Sequence, residues 1–223
     1  MTLLAIDSST RSSGLALYDG INVRYECTWA GHDYHGVDLA PGIEQALKLS
    51  GIKVSALKAV GVAIGPGSYT GLRIGLALAK GLAFSQGLDL IAVPSLDIVA
   101  AGQPLQTLPM VAVLQAGRRR LATGRYKVKK ERWQPDGPAV LMTAEELVES
   151  IQHPTLICGE LGEDERRVLG RKYKNAMLQS PAWSLRRPAI LAELAWARWQ
   201  NGDIDAVKGL APIYLQASQA VSA

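Results

Sequence analysis

An acidic residue followed by hydroxyl side chains stands near the start of the chain, where the apolar run LLAID ends. Asp7 precedes Ser8, Ser9 and Thr10, and such a carboxylate could organise a magnesium ion, through water, beside a nucleotide phosphate. The same side chains could instead tie a hairpin together through local hydrogen bonds. We favour the second interpretation, because the segment that should supply a matching acidic turn in the second half reads VLQAGRRR.

The stretch GPGSYTGLRIG, residues 65–75, is as rich in glycine as a phosphate-binding loop. A Walker loop needs a lysine after its second glycine, and the dinucleotide pattern needs a third glycine where Thr70 stands. Ser68 does not fit the frame of a hydrolase nucleophile, because Pro66 occupies the place of the first glycine. The stretch therefore predicts a turn before a helix.

Two sets of side chains could in principle bind metal ions. Asp7 and Glu44 could contribute to a nuclease of the ribonuclease-H type, which needs several carboxylates on two metal ions. The segment GHDYHG offers a second set, namely His32 and His35 with Asp33 or Asp38. Each set is short of ligands, so no metal site is predicted.

A basic segment spans residues 118–132 and carries eight lysines and arginines against one acid, Glu131. Arg125, Lys127 and Lys129 alternate, as residues on one face of a strand do. Such a face could meet phosphates or an acidic partner. It could equally be the solvated side of a half-buried strand, on which lysines discourage edge-to-edge pairing.

The composition is that of a globular protein, with 223 residues, 48% of them apolar, and a net charge of +4. This charge is smaller than that of a dedicated nucleic-acid binder. The start, MTLLAIDSST, has no basic leader, and no uncharged run approaches the roughly 20 apolar residues of a membrane span. We therefore expect a cytoplasmic protein.

Hydrophobic patterning predicts the order βββαβαβα for the first hundred residues. The ranges are strands 3–7, 13–18 and 21–29, helix 36–50, strand 58–65, helix 70–84, strand 88–95 and helix 95–102. From Pro109 a similar pattern begins again and ends in a long helix at 188–200. We predict an α/β fold of the actin-like (ASKHA, ribonuclease-H-like) group with two lobes, 1–105 and 106–223, each a mixed sheet with helices.

The helix at 70–84 carries small residues every four positions, at Gly71, Gly75, Ala79 and Ala83. A stripe of small residues permits close approach of another backbone, within the fold or from another chain. Periodicity alone favours burial in the core. Because catalytic residues are missing elsewhere, we interpret the glycines as making room for a helix of another protein.

Three segments resemble the TsaB (YeaZ) family: IDSSTRSSGLALY, GVAIGPGSYTGLRIGLALAKGLAF and IAVPSLD. His35 and Pro41 lie where that family often has a histidine and a proline, and APIYLQ (211–216) is similar to its terminal motif P-x-Y-L-R, with Gln216 in place of arginine. Gln115, Ala116 and Gly117 replace its usual Asp-Ala-Arg.

The resemblance implies a non-catalytic subunit that supports threonylcarbamoyl transfer to adenosine 37 of tRNAs reading ANN codons. It implies binding to a catalytic TsaD-type paralogue through helices 36–50 and 70–84, with a TsaE-type ATPase in the complex. It also implies ATP or ADP and magnesium in the complex, tRNA contact mainly through the complex, and a possible homodimer when the chain is alone. The residues expected at the interface are Tyr69, Thr70, Gly71, Leu72, Arg73, Gly75, Leu76, Ala79, Lys80, Ala83, His35 and Leu39.

A different class of function remains open on the residues alone. The chain could itself be an actin-like ATPase or phosphotransferase, with Asp7, Ser8 and Ser9 binding magnesium and nucleotide.

Overall fold

The computed structural model describes residues 1–30, 35–117, 119–171 and 175–215, with the backbone alone at 35–37. The strands are β1 (Thr2–Asp7), β2 (Ser12–Tyr18), β3 (Val23–Ala30), β4 (Leu57–Ala63), β5 (Asp89–Val93), β6 (Met110–Gln115), β7 (Leu121–Lys129), β8 (Arg132–Pro135), β9 (Val140–Met142), β10 (Thr155–Gly159) and β11 (Ala176–Leu178). The helices are α1 (His35–Ser50), α2 (Tyr69–Gln86), α3 (Ser95–Ala101), α4 (Ala144–Ser150), α5 (Glu163–Gly170) and α6 (Pro188–Gln200).

The first sheet has the strand order β3-β2-β1-β4-β5. Strand β1 pairs antiparallel with β2 and parallel with β4, and β4 pairs parallel with β5. This arrangement confirms the predicted order βββαβαβα. Strand β1 is buried along its whole length, as expected for a continuous apolar run in the centre of a sheet that is covered on both faces.

The two faces of this sheet carry different helices because successive strand residues point to opposite sides. Leu4 and Ile6 of β1 lie in one core cluster with buried residues of α1 and α2. Leu3 and Ala5 lie in a second cluster with Leu191, Ala192 and Ala195 of α6. Helices α1 and α2 therefore share one face, and α6 covers the other.

The chain divides into two compact units, and the division differs from the predicted lobes. Of the described residues, those within 1–98 and 187–213 form the first unit, and those within 99–186 and 214–215 form the second. Helix α6 was predicted in the second lobe, but it packs on β1, β2, β4 and β5. A helix that is apolar on most sides fits any open sheet face, so its sequence does not say which sheet it will cover.

The second unit contains a sheet with the order β11-β10-β6-β7-β8, and β9 also pairs with β7. The sheet is mixed, as predicted, because β10 pairs parallel with β6 and β11, whereas β6 pairs antiparallel with β7. Strand β7 lies inside the sheet, because β6 pairs on one side and β8 and β9 pair on the other. Lys127 and Lys129 lie beyond the residues of β7 that pair with β6, so the interpretation that these lysines discourage edge-to-edge pairing stays a prediction.

Residues 203–213, the C-terminal segment, return to the first unit after α6 and cover the edge strand β5. The Asp205 amide donates to the Leu90 carbonyl at 2.9 Å, and the Asp205 carboxylate accepts from the Ala92 amide at 2.8 Å. Arg198 donates to the Ala92 carbonyl. Polar groups of β5 that an open edge would expose are thus hydrogen-bonded within the chain.

None of the helices within the described ranges combines the length and the apolar character that crossing a lipid bilayer requires.

Candidate protein-binding face and the turn beneath it

The acidic turn at the end of β1 is buried and internally hydrogen-bonded. Asp7, Ser8, Ser9 and Thr10 are all nearly inaccessible to solvent. The Asp7 carboxylate accepts from the Ser9 amide at 2.9 Å and from the Ser9 hydroxyl at 2.7 Å. These contacts are the local ties expected of a carboxylate that stabilises a turn.

The glycine-rich turn before α2 packs directly onto this acidic turn. The Ser68 amide donates to the Ser9 carbonyl at 2.6 Å, and the Ser8 hydroxyl donates to the Gly71 carbonyl at 2.8 Å. A Cβ atom added at Gly67 or Gly71 would overlap with the carbonyl oxygen of Ser9 or Ser8, respectively. Only glycine at 67 and 71 lets the two backbone segments come this close.

The start of α2 is held from two further directions. The Ser68 hydroxyl accepts from the Gly71 amide and caps the helix. The Gly65 amide donates to the Ser95 hydroxyl at 3.0 Å, and the Ser95 amide donates to the Gly65 carbonyl at 2.7 Å. The Ile213 amide of the C-terminal segment donates to the Ile64 carbonyl at 2.7 Å. The turn is therefore fixed between three segments that are distant in sequence.

The stripe of small residues on α2 faces the interior of its own unit, which corrects the interpretation drawn from the sequence. Gly71, Gly75, Ala79 and Ala83 are all buried. Gly75 lies against the Ser8 hydroxyl, and Ala79 and Ala83 lie in the core cluster beneath the helix. These residues make room for the chain's own acidic turn and sheet, so the helix of another protein cannot lie along them.

The opposite face of α2 is exposed and also contains small residues. Arg73, Ala77, Gly81 and Phe84 follow one another at steps of four or three, and a Cβ atom added at Gly81 would meet no atom within 4 Å. Phe84 is 87% exposed. We call these four residues the outer α2 face, and they form a surface that another helix could approach closely.

Of the residues expected at the interface, some lie on this surface and others do not. Tyr69, Thr70 and Arg73 are exposed, and the Arg73 guanidinium lies 3.9 Å from the centre of the Tyr69 ring. The set that is buried within the chain is Leu39, Gly71, Leu72, Gly75, Leu76, Ala79 and Ala83. The side chain of His35 lies outside the described residues.

Lys80 is half-buried and already has a partner in the chain. Its ammonium group donates to the Leu210 carbonyl of the C-terminal segment at 2.7 Å. This hydrogen bond fixes the side chain toward the segment that covers β5. Sequence reasoning missed Ala77, Gly81 and Phe84, although stepping by four from Arg73 would have reached the first two, and Phe84 is the only phenylalanine in the sequence.

The candidate metal ligands do not come together among the side chains that the structure describes. Within those ranges, no three His, Cys, Asp or Glu side chains are placed so that they could hold a metal ion. Glu44 is exposed on α1, whereas Asp7 is buried. His32 and Asp33 lie outside the described residues.

The basic segment lies mainly on β7 and β8 of the second unit, and Arg118 is outside the described residues. Arg125 donates to the Ser150 carbonyl at 3.2 Å and to its hydroxyl at 3.0 Å, at the end of α4. Lys127 forms an ion pair with Asp136. The hydrogen bond from Lys127 holds the pKa of Asp136 below its ordinary value, and the nearby charges of Lys127, Lys129 and Arg125 act in the same direction.

The two cysteines lie in different surroundings and are free thiols. Cys27 is half-buried on β3, whereas Cys158 is fully buried on β10. Burial raises the pKa of the Cys158 thiol to about 12, so this group stays protonated at neutral pH.

Comparisons with known proteins agree with one another. A family model described as TsaD, tRNA N6-adenosine threonylcarbamoyltransferase, matches residues 30–162. The chain is 33% identical over 231 residues to the tRNA threonylcarbamoyladenosine biosynthesis protein TsaB of Bacillus subtilis, and the match covers 99% of this chain and 96% of that protein. YeaZ from Pseudomonas aeruginosa has a similar structure, with a TM-score of 0.79 and 25% identity over 96% of this chain and 99% of that one.

A more distant structure, the ROK hexokinase of Thermus thermophilus, matches with a TM-score of 0.50 and 11% identity over 90% of this chain and 100% of that one. At this identity the likeness concerns the fold alone, and it confirms the predicted actin-like α/β class. The relative from Bacillus subtilis is similar over nearly the whole of both chains. The chain therefore belongs to the TsaB (YeaZ) family of tRNA threonylcarbamoyladenosine biosynthesis proteins.

Proposed function

We propose that the chain is a non-catalytic scaffold subunit that binds a catalytic TsaD-type paralogue. In this role it is required for threonylcarbamoyl transfer to adenosine 37 of tRNAs reading ANN codons, without performing the transfer. The observation that carries the proposal is the outer α2 face, on which Arg73, Ala77, Gly81 and Phe84 are exposed.

The geometry of this face suits a helix from another protein. Ala77 and Gly81 would allow the two helix axes to approach to roughly 8–10 Å, the usual range for packed helices. Phe84 would then be covered, and burying a phenylalanine side chain contributes roughly 2 kcal/mol. On α1, Leu49 is 66% exposed near the end of the helix. Two neighbouring helices with exposed apolar residues would offer a broader surface than α2 alone.

The alternative function, an actin-like ATPase or phosphotransferase, has less support from the acidic turn. The Asp7 carboxylate already accepts from Ser9, and the start of α2 lies directly on the backbone of Ser8 and Ser9. A nucleotide phosphate would need that space and those hydrogen-bonding groups. The residues present at this turn therefore do not fit a magnesium-bound nucleotide, and we assign the ATP or ADP and magnesium of the complex to other subunits.

The remaining partners follow from the same proposal. A TsaE-type ATPase joins the complex, and tRNA is bound mainly through the assembled complex. When the catalytic subunit is absent, the outer α2 face is available for a homodimer, since the same patch on two copies can form a symmetric interface.

The experiment uses a leucine substitution at the point where the second helix would approach. Gly81→Leu is expected to weaken binding to the purified TsaD-type subunit at least tenfold, measured by titration calorimetry. The isolated chain should not lose stability, because the added side chain points into open space and leucine favours a helix over glycine.

A matched control is available on α5 in the other unit. A Cβ atom added at Gly170 would likewise meet no atom within 4 Å, so Gly170→Leu makes the same chemical change far from α2 in sequence. This variant should bind the partner as the parent chain does. If Gly81→Leu bound with unchanged affinity while remaining folded, the outer α2 face would not be the interface.

A further inference from the structure

The hairpin of β7 and β8 carries a concentration of positive charge that the proposed scaffold role does not use. Between residues 125 and 136 there are five basic side chains and two acidic ones. This excess of three is most of the net charge of +4 of the whole chain. The hairpin of β7 and β8 therefore carries a local excess of positive charge.

The strand register places four of these five cations on one face of the hairpin. Arg125, Lys127 and Lys129 occupy alternate positions of β7, and Arg132 of β8 stands directly opposite Lys129. Alternate residues of a strand lie about 7 Å apart on the same side, so the three positions of β7 span about 14 Å. The row ends at the turn residue Lys130, which is exposed.

Stability alone does not explain this pattern. Like charges directly opposite each other on neighbouring strands disfavour the pairing, and Lys129 and Arg132 form such a pair. An anion seated between them would turn the repulsion into attraction. Only Lys127 of the row is neutralised by a described ion pair, with Asp136, and Arg125 is engaged by Ser150 at the end of α4.

The spacing and the exposure of these lysines and arginines favour the phosphates of a nucleic-acid strand as the binding partner over the acidic surface of a protein. The cations are long, exposed and arranged in a row, and neighbouring phosphates of a nucleic-acid strand recur at a comparable interval. Phosphate contacts from lysine and arginine supply sequence-independent binding and fix the position of the nucleic acid. An interface with an acidic protein would need an apolar centre. Arg125, Lys127, Lys129 and Arg132 provide none, because all four are charged.

We infer that this face, formed by Lys127, Lys129, Lys130 and Arg132, binds the phosphate backbone of the RNA substrate directly. The inference rests on the proposed function, which supplies RNA as the substrate of the complex. It assigns this subunit an RNA-positioning role in addition to binding the catalytic subunit.

The test removes three charges from the exposed end of the hairpin. In the variant Lys129→Gln, Lys130→Asn and Arg132→Gln, asparagine suits the left-handed backbone at position 130, where φ is 49°. The affinity of the complex with the TsaD-type subunit for an unmodified tRNA transcript is expected to fall roughly tenfold or more. The slope of log K against log salt should decrease by about 2 to 3, as expected for three lost phosphate contacts.

A control variant changes the net charge equally at exposed lysines of the first unit, by Lys53→Gln, Lys58→Gln and Lys208→Gln. It should leave the salt slope unchanged. A variant of opposite sign is Asp136→Asn, which removes an acid from the same face and should strengthen tRNA binding. A purely structural role for the hairpin would not produce that gain.

The outcomes separate the two proposals. Binding of the TsaD-type subunit should be the same in all three variants, because the changes lie outside α1 and α2. If the parent chain did not bind the TsaD-type subunit, the scaffold role would be refuted. This inference could still be tested, because the isolated subunit can be titrated with tRNA in the same way. Unchanged tRNA affinity and salt slope in the triple variant would overturn the inference, as would binding of poly-glutamate that depends on these residues while tRNA binding does not.

Discussion

Replacing Gly75 with alanine is expected to destabilise the chain, although alanine favours a helix over glycine by about 1 kcal/mol. The added Cβ would overlap with the Ser8 hydroxyl, which is buried and donates to the Gly71 carbonyl at 2.8 Å. To make room, that hydroxyl must rotate away and lose its hydrogen bond. A buried polar group without a partner costs about 1–3 kcal/mol, and strain in a close-packed site adds to it.

The net expectation is a loss of about 2 kcal/mol in the free energy of unfolding for Gly75→Ala. The same change at Gly81 should raise stability by about 0.5–1 kcal/mol, because an added Cβ there meets no atom within 4 Å. The two positions lie on one helix, so they differ in surroundings and not in backbone type.

A second substitution tests the stated cause. In the background Ser8→Ala the obstructing oxygen is absent, and the next atoms around the new Cβ are Ser8 Cβ at 3.5 Å and Ile6 Cγ2 at 3.8 Å, which are ordinary contacts. Gly75→Ala should then be neutral or stabilising in that background. The double-mutant cycle should therefore give a coupling of about 2–3 kcal/mol.

The measurement is urea unfolding followed by tryptophan fluorescence, with calorimetry as a check because the chain has two compact units. The reasoning would be refuted if Gly75→Ala were as stable as Gly81→Ala. It would also fail if the loss at Gly75 persisted unchanged in the Ser8→Ala background. Either result would mean that the acidic turn does not constrain α2.

Three further predictions concern the rest of the chain. Asp205→Ala should lower the free energy of unfolding by about 2 kcal/mol in urea titrations, because the Ala92 amide on the edge strand loses a charged acceptor. Unchanged stability would show that the C-terminal segment does not protect β5. Glu160→Ala should lower the free energy of unfolding by about 3 kcal/mol in the same titrations. It removes the carboxylate that lies 2.6 Å from the guanidinium of Arg186, whose side chain is only 2% exposed. A loss below about 1 kcal/mol would contradict this prediction. Cys158 should resist alkylation by iodoacetamide at pH 8 in the folded chain and react after unfolding, because burial raises its pKa to about 12. If mass spectrometry showed that Cys158 is alkylated rapidly in the folded chain, its burial would be disproved.

The local order of elements was predictable because hydrophobic periodicity and turn residues act over short stretches. The run LLAID predicts a fully buried strand, and β1 is one. The apolar pattern of residues 70–84 predicts a helix, and α2 extends it by one residue at the start and two at the end. The Asp7 carboxylate was also predicted to make local hydrogen bonds, and it accepts from the amide and the hydroxyl of Ser9, two positions along the chain.

The stripe of small residues on α2 was interpreted wrongly as a surface for another protein, although periodicity alone favoured its burial in the core. Gly71, Gly75, Ala79 and Ala83 share one face of the helix. Ala77 and Gly81 lie on the opposite face, and the residues of both sets are small enough for close packing. Which set faces the sheet depends on Ser8 and Ser9, which lie about sixty positions earlier in the chain. Periodicity favoured the correct buried face, but only the structure shows that this face packs against the acidic turn.

The sequence by itself determined the class of fold, the helices and strands of the first unit, and the family. Only the tertiary structure decided that α6 covers the first sheet, that residues 203–213 close the edge of β5, and that GPGSYTGLRIG binds the chain's own acidic turn. The physical reason is the range of the contacts. Local propensity and patterning act within a few turns of the chain, whereas these arrangements depend on backbone hydrogen bonds and close packing between segments that come together only when the chain folds.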